Sequence, residues 1–317
     1  MRRPRTILVA ALGAACLAGT VGAEPAGPAG PAGPAGPAGP ALDLAYGAYQ
    51  RGHFLTASRE ATSRLEKDPG DAAAMTLMGE LYNQGLGLPQ DPAEAARWYR
   101  LAAARGDVHA MASLGLMASD GRGMTRDVEA ARTWLDKAAA LREPTASYNL
   151  ALLLMSAGPD ADLPRIAALL RVAADAEIGD ALHDLGVLYA RGRGVPKDRE
   201  EATRLFARAT RSGSLAGEVE YAIALANGDG IAKSDGLAAR FFRRAAARGN
   251  AIAQNRLARL YVSGRGVPKN LVEAAAWHLV AAGQGLPDPW LDEAIRNLPS
   301  ADRSRAEQLA GERAGSL

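Results

Sequence analysis

Leu185-Gly186-Val187-Leu188-Tyr189-Ala190-Arg191-Gly192-Arg193-Gly194-Val195-Pro196-Lys197-Asp198 returns, two periods of 36 residues later, as Leu257-Ala258-Arg259-Leu260-Tyr261-Val262-Ser263-Gly264-Arg265-Gly266-Val267-Pro268-Lys269-Asn270. Working outward from this pair, six copies of the unit fill the chain from Asp71 to Asp288. Self-similarity at this period marks a repeat architecture in which each unit buries its apolar face only against its neighbours. Such arrays extend by adding units, so the six copies read as one α/α solenoid. Their usual work is to present a surface to a partner.

One small residue in the first helix of each copy anchors the register: Gly79, Gly115, Ala151, Gly186, Ala222 and Ala258. Five residues earlier stand Ala74, Ala110, Ala146, Ala181, Gly217 and Ala253, and one residue earlier Met78, Leu114, Leu150, Leu185, Tyr221 and Leu257. Small residues admit a second helix backbone, and the adjoining large one fills the groove. Six residues after the anchor, five copies read Gly-x-Gly: Gly85/Gly87, Gly121/Gly123, Gly192/Gly194, Gly228/Gly230 and Gly264/Gly266. Glycine there suits a left-handed helix C-cap followed by a tight turn. Asp91, Asp127, Asp198, Ser234 and Asn270 stand where an N-cap for the second helix is needed, and Pro92 fits its first position. Seven residues beyond the cap comes a large side chain, Trp98, Trp134, Leu205, Phe241 or Trp277, which reads as core. The third copy departs: its loop, Ser156 to Pro164, lacks Gly-x-Gly and is one residue shorter, and Leu169 takes the aromatic place. A local irregularity is expected there.

The order small-x-x-x-Leu-Gly-x-x-Tyr-x-x-Gly-x-Gly-Val-x-x-Asp, followed by Glu-Ala-Ala-x-Trp and Ala-Ala-x-x-Gly, resembles the Sel-one-like repeat (SLR) family, a relative of tetratricopeptide repeats with a longer loop inside each helix pair. The resemblance implies an all-α, right-handed superhelix of helix-turn-helix repeats used as an adaptor or scaffold. Similar bacterial proteins restrain a membrane sensor kinase that controls exopolysaccharide synthesis, or scaffold a polysaccharide-export complex at the outer membrane. The implied partner is another protein, periplasmic or the periplasmic domain of a membrane protein.

The formal charge of +2, from 37 basic and 35 acidic side chains, is set by the leader. Without Arg2, Arg3 and Arg5 the balance is 34 to 35, which disfavours a nucleic-acid surface. Residues 1–23 read as a signal peptide: a basic start, an apolar core from Ile7 to Leu17, and Val21-Gly22-Ala23 before a cleavage at Glu24. The core is short of the ~20 residues needed to span a bilayer. The single cysteine, Cys16, follows Gly13-Ala14-Ala15, so lipid anchoring through Cys16 is the alternative reading. Residues 24–41 form a Pro-Ala-Gly linker that could reach ~50 Å as polyproline II. Residues 42–70, with Tyr46, Tyr49, Gly52, Phe54, Ala57, Ala61 and Leu65, read as a tetratricopeptide-like capping pair, and residues 289–317 as the C-terminal cap and tail. Trp290, Leu291, Ile295 and Leu298 share one apolar face there, and Ser300 is placed to cap a last, fraying helix.

No catalytic or metal-ligating constellation emerges. His53, His109, His183 and His278 stand at no ligand spacing, Cys-x-x-Cys is absent, and no Gly-x-Ser-x-Gly, Ser-x-x-Lys or Gly-Lys-Ser/Thr motif occurs. Asn227-Gly228-Asp229-Gly230 lacks the acidic spacing of a calcium loop. The chain therefore reads as a non-enzyme without cofactor or metal. The alternative is a secreted hydrolase, β-lactamase-like or acting on the cell wall, embedded in the array; family members linked to β-lactamase activity carry paired cysteines that this chain does not have.

A binding face can be drawn one residue after the anchor and four residues before that, positions that share a helical face. In the middle copies it is apolar: Leu116, Tyr148, Leu152, His183, Val187, Val219 and Ile223. It reads either as a strip that accepts a peptide or helix, or as ordinary packing between neighbouring first helices.

Overall fold

The computed structural model describes residues 44–156, 158 and 162–316. The signal-peptide, linker and Cys16 readings lie outside the described residues, as does part of the third-copy loop. Sixteen α-helices and no strand occur among the described residues. The described residues divide into two compact units, one ending at Leu150 and the other beginning at Ala151. The division falls in the third copy, the one whose loop departs from the pattern.

In the first unit, α1 (Leu44–Gln50) and α2 (Phe54–Lys67) precede α3 (Ala72–Gln84), α4 (Pro92–Ala103), α5 (Val108–Asp120) and α6 (Val128–Ala140), and α7 (Pro144–Ser156) carries the boundary. The second unit continues with α8 (Leu163–Asp175), α9 (Gly179–Arg191), α10 (Arg199–Arg211), α11 (Leu215–Asn227), α12 (Asp235–Ala247), α13 (Ala251–Ser263) and α14 (Leu271–Gly283), then α15 (Pro289–Ile295) and α16 (Ser300–Gly315). Consecutive helices pack on one another from α1 to α6 and from α8 to α15, as a solenoid requires, and α16 packs on α14.

The predicted caps form. Asp91, Asp127, Asp198, Ser234 and Asn270 accept first-turn amides of α4, α6, α10, α12 and α14 at 2.9–3.4 Å. Their own amides reach back to first-helix carbonyls at 2.8–3.0 Å, closing each helix pair: Asp91 to Tyr82, Asp127 to Ala118, Asp198 to Tyr189, Ser234 to Leu225 and Asn270 to Tyr261. A second set of caps escaped the sequence reading. Asp71, Asp107, Ser214 and Asn250, each eight residues before an anchor, cap α3, α5, α11 and α13, and Asp162 caps α8.

The two glycines of each Gly-x-Gly turn do different work. Gly85, Gly121, Gly192, Gly228 and Gly264 are left-handed C-caps with φ of 66–80°. Gly87, Gly123, Gly194, Gly230 and Gly266 also have positive φ, and they lie against backbone at the start of the preceding unit's second helix. A Cβ at Gly123 would stand 2.1 Å from the Pro92 carbonyl oxygen, and one at Gly266 2.1 Å from that of Asp235. Gly87 bears in the same way on Phe54 and Leu55 of α2, so α1 and α2 take the place of a preceding unit. Arg142 and Glu177 are the non-glycine residues with positive φ, 59° and 58°, among the described residues. They flank the third copy and occupy the turn position that Gly106, Gly213, Gly249 and Gly285 hold elsewhere.

The core shifts one register from the expected side chains. Trp98, Trp134, Phe241 and Leu169 are half-buried, whereas Leu205 and Trp277 are buried. The buried position common to all copies is the next residue: Tyr99, Leu135, Leu170, Phe206, Phe242 and His278. Tyr99, Leu135 and Phe206 face the glycine anchors. A Cβ at Gly79 would lie 2.7 Å from two ring carbons of Tyr99, one at Gly115 2.6 Å from Leu135, and one at Gly186 2.6 Å from Phe206. The anchor glycines thus make room for a large side chain of the paired helix.

The ends are also corrected. Ser300 opens α16 rather than capping it, and α16 runs to Gly315. That helix packs on α14 through Ala275, Ala276 and Ala306 with Val272, Ile295, Leu298 and Leu309. Arg313 fixes it further, pairing with Glu273 at 2.8 Å and lying over the Trp277 ring at 4.1 Å. Trp290 does not share the buried face of Leu291; it is exposed, and Leu291 is fully buried.

Candidate functional site

The strip drawn from the sequence divides between the two units. In the first, Leu116 and Tyr148 are buried, at 7% and 5% exposure. In the second, His183 and Val219 are buried, and Leu152, Val187 and Ile223 are half-buried. His183 is committed to packing: its ring centroid lies 6.0 Å from that of Phe206, and Nδ1 is 3.0 Å from Asp184. Val219 belongs to the core cluster of α11 to α15, and Ile223 packs against its edge. Buried Leu116, Tyr148, His183 and Val219 have little surface to offer a partner. The charged residues at the outer copies are held within the chain as well. Glu80 accepts the Tyr99 hydroxyl at 2.6 Å, burial followed by the Glu80 charge and bond raises the Tyr99 pKa, and Arg259 pairs with Asp288.

Ile223 leads to a feature that the sequence reading did not isolate. It lines a cleft of about 310 Å³ in the second unit, between α11, α13 and α15, together with Leu260, Trp290, Arg256, Arg259 and Arg265. Two of the three arginines are fixed by carboxylates. Arg259 donates through Nε and Nη2 to Asp288 at 2.7 and 2.9 Å, and Arg265 through the same atoms to Asp235 at 3.1 and 2.7 Å. Arg265 Nη2 also reaches the Ala226 carbonyl at 3.3 Å. Arg256 is exposed and makes no ion pair among the described residues.

Asp288 organises one wall. It caps α15, accepts Asn255 at 2.7 Å, and holds Arg259, whose guanidinium lies 5.0 Å from the centre of the Trp290 ring. Burial alone would raise the Asp288 pKa, but the hydrogen bonds from Arg259 and Asn255 and the arginine charge outweigh it and hold the value at about 2. Asp235 is likewise held low, chiefly by its bond from Arg265. Both carboxylates are ionised at neutral pH, so both guanidinium planes are set before any ligand arrives. The wall therefore combines an exposed indole, an aliphatic edge and cations whose positions are fixed.

No group of three His, Cys, Asp or Glu side chains suited to a metal ion occurs among the described residues. No helix among them is long and apolar enough to cross a membrane. The clearest sequence signals for the cleft were present but scattered: Arg259 stands at the anchor-plus-one position, Arg265 lies inside a Gly-x-Gly turn, and Trp290 follows the last copy. Their convergence depends on α15 turning back beside α13, which the repeat period does not encode.

The Sel1 repeat model matches the chain over residues 72–107, 108–142, 179–214, 216–250 and 251–286. It passes over the third of the six copies drawn from the sequence. Among solved structures, the chain is similar to a Sel1 repeat protein from Oxalobacter formigenes, with 26% identity and a TM-score of 0.63, over 76% of this chain and 97% of that one. It is also similar in fold to c5321, a protective antigen of uropathogenic Escherichia coli displaying an SLR fold, with 23% identity and a TM-score of 0.60. That match covers 83% of this chain and 64% of the antigen's length. A search of the curated proteins found no match.

Proposed function

Because the chain belongs to the Sel1 repeat family, we propose that it is a protein-interaction scaffold of the bacterial periplasm, an adaptor for another protein or for the periplasmic domain of a membrane protein. The observation that carries this reading is how the repeat distributes its residues. Positions that recur from copy to copy are used to hold helix pairs together: cap carboxylates, paired glycines, anchors and the large side chains facing them. The anchor-plus-one position is aliphatic in the four middle copies, Leu116, Leu152, Val187 and Ile223, but charged in the outer two, Glu80 and Arg259; Ile223 and Arg259 line the cleft. A shared framework with differing side chains on its faces is how a repeat array acquires specificity for one partner.

Sel1 repeats are typically non-catalytic, and the proposed activity is binding rather than turnover. Regulation of a membrane sensor, or of exopolysaccharide production or export, is the role we propose for that binding. The test is crosslinking in cells followed by mass spectrometry, with Leu152→Glu and Ile223→Glu beside the wild type. A discrete partner captured by the wild type, and lost by a variant that keeps its helical circular dichroism and melting point, supports the scaffold. Absence of any partner, with hydrolysis of nitrocefin or peptidoglycan by the purified chain, overturns it. The periplasmic assignment is tested by the intact mass of the mature protein, expected to begin at Glu24. A diacylglyceryl increment on a chain starting at Cys16 replaces that assignment with a lipid-anchored one.

A further inference from the structure

We propose that the cleft between α11, α13 and α15 binds an extended peptide segment of the partner in which an acidic residue stands beside a large apolar one. The inference rests on the scaffold reading and names the partner chemistry at one site. Charge complementarity commits the occupant. Three arginines line the cleft, and only two have carboxylate partners. Arg256 is exposed and unpaired among the described residues, so the cleft carries an uncompensated positive charge.

The paired arginines also keep bonding capacity. Arg259 and Arg265 commit Nε and Nη2 to Asp288 and Asp235, and their Nη1 groups make no hydrogen bond among the described residues. A guanidinium held in this way loses little freedom when a second carboxylate arrives, which favours recognition over a mobile side chain. The apolar part of the ligand is set by Trp290, which is 47% exposed, with Ile223 and Leu260 beside it. An exposed indole next to fixed cations suits a side chain that is apolar at one point and anionic at its neighbour. The volume, about 310 Å³, lies at the small end of the ~300–1,000 Å³ usual for ligand pockets, so it accommodates side chains of a segment rather than a folded surface.

The experiment is selection of a displayed random octapeptide library on the intact chain, with Arg256→Gln selected in parallel. Arg256 is exposed and makes no hydrogen bond or ion pair among the described residues, so this variant should melt with the wild type. The expected result is enrichment of peptides with Asp or Glu next to a large apolar residue. Their synthetic forms should bind the wild type, weaken with added salt, and lose about ten-fold in affinity on Arg256→Gln, on Trp290→Ala, or when the peptide's Asp or Glu is replaced by its amide. No enrichment, enrichment of neutral or basic peptides, or equal affinity for Arg256→Gln overturns the proposal. A partner captured in cells without such peptides leaves the scaffold standing and removes this site. Peptide binding without any partner in cells does the reverse.

Discussion

Replacing Gly266 by alanine separates the two glycines of the repeat turn, because the two meet different surroundings at nearly the same backbone angles. Gly264 has φ of 68°, and a Cβ there would meet nothing closer than the Lys269 Cβ at 3.5 Å, an ordinary contact. Its substitution adds only the cost of an L-residue in the left-handed region, ~1–2 kcal/mol. Gly266 has φ of 70°, but its Cβ would stand 2.1 Å from the Asp235 oxygen and 2.4 Å from its carbonyl carbon. Both atoms are backbone at the start of α12, and no side-chain rotation relieves the clash. The turn must withdraw, disturbing buried Val267 and the Arg265–Asp235 pair. Overpacking of this kind adds ~1–3 kcal/mol, for a total of ~2–5 kcal/mol. Urea unfolding followed by circular dichroism should place Gly266→Ala below Gly264→Ala by ~1–3 kcal/mol, with Arg193→Ala indistinguishable from wild type. Equal losses at the two glycines, or a silent Gly266→Ala, would refute the docking of each turn on the preceding unit.

Three further outcomes follow from the same geometry. Tyr99→Ala should destabilise by ~3–5 kcal/mol and Trp98→Ala by clearly less, since Tyr99 is buried against Gly79 and Trp98 is half-buried; denaturant midpoints decide the order. Arg142→Gly should stabilise by ~0.5–1 kcal/mol, because relief of the left-handed strain at φ of 59° exceeds the added entropy of the unfolded chain; a lower melting temperature would contradict that balance. Asp288 has its pKa held at about 2, below the ~3.9 of an unfolded aspartate, so its contribution is complete above pH ~5 and is lost as pH falls toward 2. The contribution is roughly 2–3 kcal/mol. Urea titrations from pH 5 to pH 2 should show the wild type approaching Asp288→Asn, and a constant gap between them would be the failing result.

The period, the glycine turns and the second-helix caps were legible in the sequence because each depends on local backbone demands repeated in at least five of the six copies. The packing register was less so. Neighbouring residues on a helix are ~100° apart, and where two large side chains adjoin, as Trp98 and Tyr99 do, the pattern alone does not say which one meets the anchor. The first-helix caps Asp71, Asp107, Ser214 and Asn250 were visible at constant spacing once the helix starts were known. Arg142 and Glu177 could also have been read as glycine replacements bounding the aberrant third copy. The cleft could not. Its walls come from α11 and α13 of the array and from Trp290 outside it, and they meet through Asp288, a residue whose partners Asn255 and Arg259 lie about 30 residues away.

The most direct test of the account places a photocrosslinking amino acid at Asn227, exposed and lining the cleft, or at Lys197, exposed on the turn before α10. Irradiation in cells should yield one discrete protein adduct from position 227, absent from position 197 and lost when Arg256→Gln is combined with it. No protein adduct at position 227, or the same adducts from both positions, would contradict the account.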